Sequence, residues 1–215
     1  MKKVTIIHTT LATVQSIPAL IYEQFPNSFE LVNLLDDSLL NDIKTNGSLT
    51  KAVIERFIQY AIIAENQHSD GILLACSSIG IAGDIARSIV HIPLLKIDDP
   101  LTDQAVDMGK RILVLGTVKS TLEPTSKLIE QKRKHSDQQV DYLLIPNVFE
   151  LYASKREEHD WKIAEVIMQH QNEYDVIVLA QASMSNAITY VKGNTDAILT
   201  SLPLGINQLA QLLEV

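Results

Sequence analysis

The chain of 215 residues holds one cysteine, Cys76. That excludes an intrachain disulfide and any metal site built on several thiolates. The six histidines show no H-x-x-x-H or similar ligand spacing, so no metal site is expected. Basic residues are also in short supply. The 18 Lys and Arg face 26 Asp and Glu, a net charge of −8, which argues against a nucleic-acid surface or an anionic membrane as partner. No apolar run reaches the length a membrane span requires. The opening residues from Met1 to His8 lack the apolar core of a signal peptide. A cytoplasmic protein is expected. A phosphate loop, a dinucleotide fingerprint and a nucleophile elbow are all missing, as are Pro/Gly/Ser-rich linkers and low-complexity segments. The hydrophobic fraction of 46% is ordinary for a globular chain, and the length suffices for one large domain or two small ones.

What is present is a rhythm. Short apolar runs at 4–7, 29–35, 72–75, 92–97, 112–115, 140–145, 176–180 and 197–199 read as buried strands. Helical spacing fills the intervals, at 16–25, from Ser48 or Thr50 to Asn66, from Ile81 to about Val90, at 101–109, at 121–134, within 148–170, after Gln181 as far as Gly193, and at 204–213. Strands alternating with helices imply mainly parallel sheets. The basic residues Lys132, Arg133, Lys134 and His135 close a helical pattern and read as a complement to its C-terminus. Lys155, Arg156, Glu157 and Glu158 read as a solvated face.

The stretch Asp70-Gly-Ile-Leu-Leu-Ala-Cys-Ser-Ser-Ile-Gly-Ile-Ala82 organises this pattern. It has an ungapped echo in Asp175-Val-Ile-Val-Leu-Ala-Gln-Ala-Ser-Met-Ser-Asn-Ala187, identical at six of thirteen positions at an offset of 105. Gln181 faces Cys76 in this echo. Two further pairs lie at offsets of 108 and 103: His8 to Thr13 with Gly116 to Thr121, and Asp98 to Leu101 with Ser201 to Leu204. Buried strands look alike, but three pairs in order favour a duplicated unit. The expected fold is α/β: two pseudo-symmetric parallel-sheet lobes, 1–98 with 204–215 and 99–203, with the active site in the cleft between them. The last helix is expected to pack back on the first lobe.

Cys76 ends a strand and precedes two serines at a helix start. There a ligand binds in open α/β sheets and a thiol pKa falls below its ordinary value of about 8.5. It reads either as a small buried hydrophobe or as a thiolate that takes a proton from carbon or attacks it. Ser77 and Ser78 either cap the helix or hold a carboxylate at its amides. Ser183 repeats them. Thr117 and Thr121, mirrored by Thr9 and Thr13, carry the same pair of readings. His8 ends the first strand and reads as structural or as an acid, base or ligand. Asp36, Asp37, Asp98 and Asp99 at strand ends are capping residues or contacts for a substrate ammonium.

The segments Leu74-Ala-Cys-Ser-Ser78, Ile97-Asp-Asp-Pro100 leading to Gln104-Ala-Val106, Leu115-Gly-Thr117 leading to Thr121, and Leu179-Ala-Gln-Ala-Ser-Met184 resemble the aspartate/glutamate/hydantoin racemase superfamily over nearly the whole chain. The resemblance implies a cofactor-independent enzyme of the isomerase or racemase kind, a small carboxylate as its partner (an amino acid or a dicarboxylate), and a homodimer. It implies Cys76 as one of two cysteines that address opposite faces of an α-carbon, and it maps the second onto Gln181, which cannot shuttle a proton. Catalytic residues are then Cys76 and His8. Substrate-binding residues are Thr9, Ser77, Ser78, Thr117, Thr121, Gln181, Ala182 and Ser183. Three outcomes follow: a one-cysteine isomerase or lyase, a racemase whose second base is His8 or another residue, or a carboxylate-binding protein without activity.

Overall fold

The computed structural model describes all residues, Met1–Val215. Its apolar runs pair as two separate four-stranded sheets. The first has the order β2-β1-β3-β4, with β1 Lys2–His8, β2 Phe29–Leu35, β3 Gly71–Leu74 and β4 Leu94–Lys96. The second has the order β6-β5-β7-β8, with β5 Arg111–Gly116, β6 Gln139–Leu144, β7 Val176–Leu179 and β8 Ile198–Thr200. Every pairing is parallel. The helices are α1 Leu11–Gln24, α2 Ser38–Asn46, α3 Lys51–Asn66, α4 Gly80–Arg87, α5 Asp99–Met108, α6 Lys119–Lys132, α7 Leu151–Ser154, α8 Arg156–His170 and α9 Ser201–Leu212. The chain forms two compact units, Met1–Ile97 with Gly205–Val215, and Asp98–Leu204.

In the first unit, α3 forms because Val53, Phe57, Ala61 and Ala64 recur at helical spacing and all are buried. They meet Ile7, Ile72 and Leu74 of the sheet in one apolar cluster. Burying a side chain such as Phe57 contributes about 1.5–3 kcal/mol. Thr50, rather than Ser48, caps α3: its Oγ1 accepts from Val53 N at 3.4 Å. The chain end returns to this unit, where Leu213 lies against Gly71.

In the second unit the sheet is covered on both faces, and alternate residues show it. Ile112, Val114, Val176 and Val178 enter one core with α5 and α6, while Leu113, Leu115, Ile177 and Leu179 enter another with Ile163 and Ile167 of α8. That double burial is why β5 and β7 are apolar without interruption.

Two local expectations are corrected. The helix after Cys76 does not wait for Ile81: a 3₁₀ turn, Ser77–Ile79, leads straight into α4 at Gly80. The segment after Gln181 is also 3₁₀, over Ala182–Tyr190, rather than a helix reaching Gly193. Lys132 stands in the last turn of α6, as expected, and the basic residues also pair with the acidic side of α5: Lys132 Nζ reaches Asp103 at 2.7 Å, and Lys134 pairs with Asp107. Lys155, Arg156, Glu157 and Glu158 are all exposed, as expected, and Arg156 Nε also donates to Asp160, which is buried at 1% exposure.

Candidate active site

Parallel strands deliver their carboxyl ends to one edge of a sheet, and both units use that edge in the same way. In the first unit, β1 and β3 are neighbours with Ile7 opposite Leu74. His8 and Thr9 therefore emerge beside Ala75 and Cys76. Cys76 is half-buried, extended (φ −154°, ψ 116°), and flanks the apolar cluster under α3. Ser77 and Ser78 are half-buried in the 3₁₀ turn. The residues preceding that turn and α4 are Cys76 and Ile79, and neither makes a side-chain capping bond.

His8 is fully buried. Its Nδ1 lies 2.9 Å from Thr13 Oγ1 and its Nε2 lies 2.9 Å from Asn33 Oδ1. An amide oxygen only accepts, so Nε2 carries the proton. Burial pushes the His8 pKa below its ordinary value, against the opposing pull of Asn33. Thr9, also buried, follows it into the turn before α1. Asp36 ends β2 at this edge, and its carboxylate is engaged within the unit. Ser38 N and Tyr60 Oη donate to it at 3.0 and 2.7 Å, with Arg56 Nε at 3.2 Å. Burial pushes its pKa up, but the bonds from Ser38 and Tyr60 and the Arg56 charge outweigh that and hold it low. Asp98 and Asp99 are buried where α5 begins, and Asp98 makes no side-chain cap there. Asp37 precedes α2, again without a side-chain cap.

In the second unit, β5 and β7 are neighbours with Leu115 opposite Leu179, so Thr117 emerges beside Gln181. The two touch. Thr117 N and Thr117 Oγ1 both donate to Gln181 Oε1, at 2.6 and 2.9 Å. The Gln181 backbone (φ −139°, ψ 136°) repeats that of Cys76, and each stands immediately before a 3₁₀ turn. Ala182 and Ser183 open that turn, both half-buried. Thr121 Oγ1 lies 3.1 Å from Val118 O, as Thr13 Oγ1 lies 3.0 Å from Thr10 O. The paired threonines thus close equivalent turns.

Two features escaped the sequence reading. Asn33 is the polar residue inside the otherwise apolar end of β2, which was a visible signal. The second feature gave none. Asp160, one turn into α8, accepts from His159 Nδ1 at 2.7 Å, from Asn186 Nδ2 at 2.6 Å and from Arg156 Nε at 2.9 Å. Arg156 also lies over the Tyr152 ring, 4.2 Å from its centre. This cluster fastens α7 and α8 to the turn that follows Gln181.

The doubled parallel sheet is a racemase fold. Over 100% of this chain and 88% of the other, it superposes on allantoin racemase from Klebsiella pneumoniae with a TM-score of 0.74 at 15% identity. An aspartate racemase homologue from Pyrococcus horikoshii gives 0.71 at 16% identity, with 100% of both chains covered. A mutant of arylmalonate decarboxylase gives 0.68 at 16% identity, covering 99% of this chain and 93% of that one. At these identities the likeness establishes the fold. No curated protein matches the sequence. The profile of the Asp/Glu/hydantoin racemase family matches residues 4–198, and the chain belongs to that family. It is an enzyme of the racemase and isomerase type.

Proposed function

We propose that this protein is a cofactor-independent isomerase or lyase that acts on a small carboxylate, an amino acid or a dicarboxylate, with Cys76 as its single acid/base. The observation that carries this reading is the placement of Cys76. It follows a central strand of a parallel sheet by two residues, half-buried, at the start of a turn that carries Ser77 and Ser78. A thiolate there takes the proton of a carbon next to the carboxylate. The C–H electron pair passes into the carboxylate, which becomes an enediolate, and the thiol returns a proton to carbon. In the lyase variant a C–C bond breaks instead. Carbon dioxide leaves, the electron pair enters the remaining carboxylate, and the Cys76 thiol protonates the carbon. Ser77, Ser78 and Thr9 would bind the carboxylate; Ala182 and Ser183 occupy the equivalent turn of the second unit.

Gln181 favours chemistry with one acid/base over two-cysteine racemisation, because a carboxamide does not exchange protons at this task. A role for His8 as the opposite base would require breaking its bond to Thr13 or to Asn33. The deciding experiment incubates wild type and Cys76→Ala in deuterated water with L-aspartate, L-glutamate, allantoin and a phenylmalonate, followed by NMR. Wild type is expected to incorporate deuterium into, or release product from, at least one of them. Cys76→Ala should lose that turnover by about 10²–10⁴-fold, the range for a positioned acid or base. A silent wild type, or a variant as active as wild type, overturns the reading.

A further inference from the structure

Gln181 stands where the second unit repeats Cys76, and its carboxamide is held in one orientation. Thr117 N, 2.6 Å away, can only donate, so the Gln181 atom facing it is the oxygen. Thr117 Oγ1 donates to the same oxygen at 2.9 Å. Both lone pairs of Oε1 are therefore engaged. What the residue has left is Nε2, with two N–H groups and no acceptor within the protein. Gln181 is 8% exposed, and its Nε2 is not among the sealed, unpartnered polar atoms of the interior. It is a donor at a strand's carboxyl end, where parallel sheets bind ligands. Two bonds accepted at Oε1 draw electron density from the nitrogen and strengthen its N–H groups as donors.

We infer that Gln181 Nε2 donates a hydrogen bond to an anionic oxygen of the substrate, carboxylate in the ground state and enediolate as the reaction proceeds. The position thus serves as a fixed oxyanion donor in place of a second acid/base. Thr117 is its positioning residue: it touches Gln181 and sets which end of the amide is presented. The inference rests on the proposed carboxylate chemistry and assigns it a substrate-contacting group. A preorganised donor to a developing oxyanion is worth most where water is scarce.

The test uses the intact protein with three substitutions. Gln181→Met keeps the length and removes the donor. Gln181→Glu keeps an acceptor for Thr117 and turns a carboxylate oxygen toward the substrate. Thr117→Val removes one of the two pins. Folding is verified by circular dichroism, kcat and KM are measured on whichever carboxylate wild type turns over, and binding of malonate is measured by calorimetry. Gln181→Met is expected to lower kcat by about 10²–10³-fold, the loss typical of one oxyanion donor, with KM changing far less. Gln181→Glu should lose at least as much and also weaken malonate binding. Thr117→Val should cost about tenfold, as for a residue that only orients a contacting group.

A folded Gln181→Met with kcat within about threefold of wild type overturns the inference, whatever Cys76→Ala does. If Cys76→Ala retains turnover and Gln181→Met loses it, the cysteine reading falls and the Gln181 assignment stands. If wild type binds malonate but turns nothing over, Gln181→Met must weaken malonate by at least about tenfold, and unchanged binding overturns the inference. A wild type that neither binds nor reacts overturns both.

Discussion

Asp70 and Asp175 do the same work 105 positions apart. Asp70 Oδ2 accepts from Lys3 N at 2.7 Å, where β1 begins. Asp175 Oδ2 accepts from Lys110 N and Arg111 N at 2.9 and 2.8 Å, where β5 begins. Each carboxylate thus ties the entry of one central strand to the entry of its neighbour, and this pair is one of the six identical positions of the echo. The internal repeat is a repeat of hydrogen bonds as well as of letters.

Both ties face solvent, so water replaces them in part. Asp70→Ala should cost about 1 kcal/mol, the usual net value of a hydrogen bond, and Asp175→Ala somewhat more because two amides lose their acceptor. Urea unfolding at pH 7 measures this. The amides of Arg111 and Lys110 hold the Asp175 carboxyl below its ordinary pKa. Its contribution is complete above the unfolded value of about 4 and is lost as pH falls through the lowered folded value. The wild-type and Asp175→Ala stability curves should therefore converge in strong acid.

His8 makes the opposite end of the sheet sensitive to pH. Burial lowers its folded pKa, so the unfolded chain takes up a proton that the folded one resists. Stability attached to His8 is complete above about 6.5 and declines as pH falls from there to the lowered folded value. Denaturation midpoints collected from pH 8 to pH 5 should fall more steeply for wild type than for His8→Gln. Parallel curves would contradict this.

Asp160 neutralises Arg156 and orients His159 and Asn186 inside the second unit. Without Asp160 the half-exposed Arg156 recovers water, whereas buried His159 loses its acceptor, at a cost of about 1–3 kcal/mol. Asp160→Ala should lose that much in chemical denaturation. Asp160→Asn, which keeps an acceptor but not the charge, should lose less.

At Gly205, inside α9, two effects oppose each other. Alanine favours a helix by about 1 kcal/mol over glycine. A methyl group there would lie 2.8 Å from Ile97 O and 2.5 Å from Ile97 Cδ1, and such overpacking costs about 1–3 kcal/mol. The backbone oxygen cannot step aside, so Gly205→Ala should lower the melting temperature. A rise would show that α9 shifts to make room.

The parallel strands were legible because double burial makes them uninterrupted apolar runs, and the echo at 70–82 and 175–187 showed that the pattern occurs twice. α2 was not, because nine residues with only Leu39 and Ile43 buried carry too little periodicity. The 3₁₀ turn from Ala182 to Tyr190 reads as a helix in the sequence, since periods of 3.0 and 3.6 diverge little over nine residues. Among the site residues, strand-end placement was readable from position alone. The Thr117–Gln181 bond was not: the partners are 64 residues apart and meet only when β5 and β7 pair. Asp160 was hidden by its neighbours, because a run of charges reads as solvent-facing until one member is found in the interior.

The path of the chain has a consequence for synthesis. The unit from Asp98 to Leu204 is one continuous piece and can close as soon as its own residues have left the ribosome. The other unit begins first and finishes last, because Gly71 and Ile97 await contacts with Leu213 and Gly205. Until Gly205–Val215 has been synthesised, the half that carries Cys76 is unfinished, and the thiol cannot reach its native setting before that segment emerges.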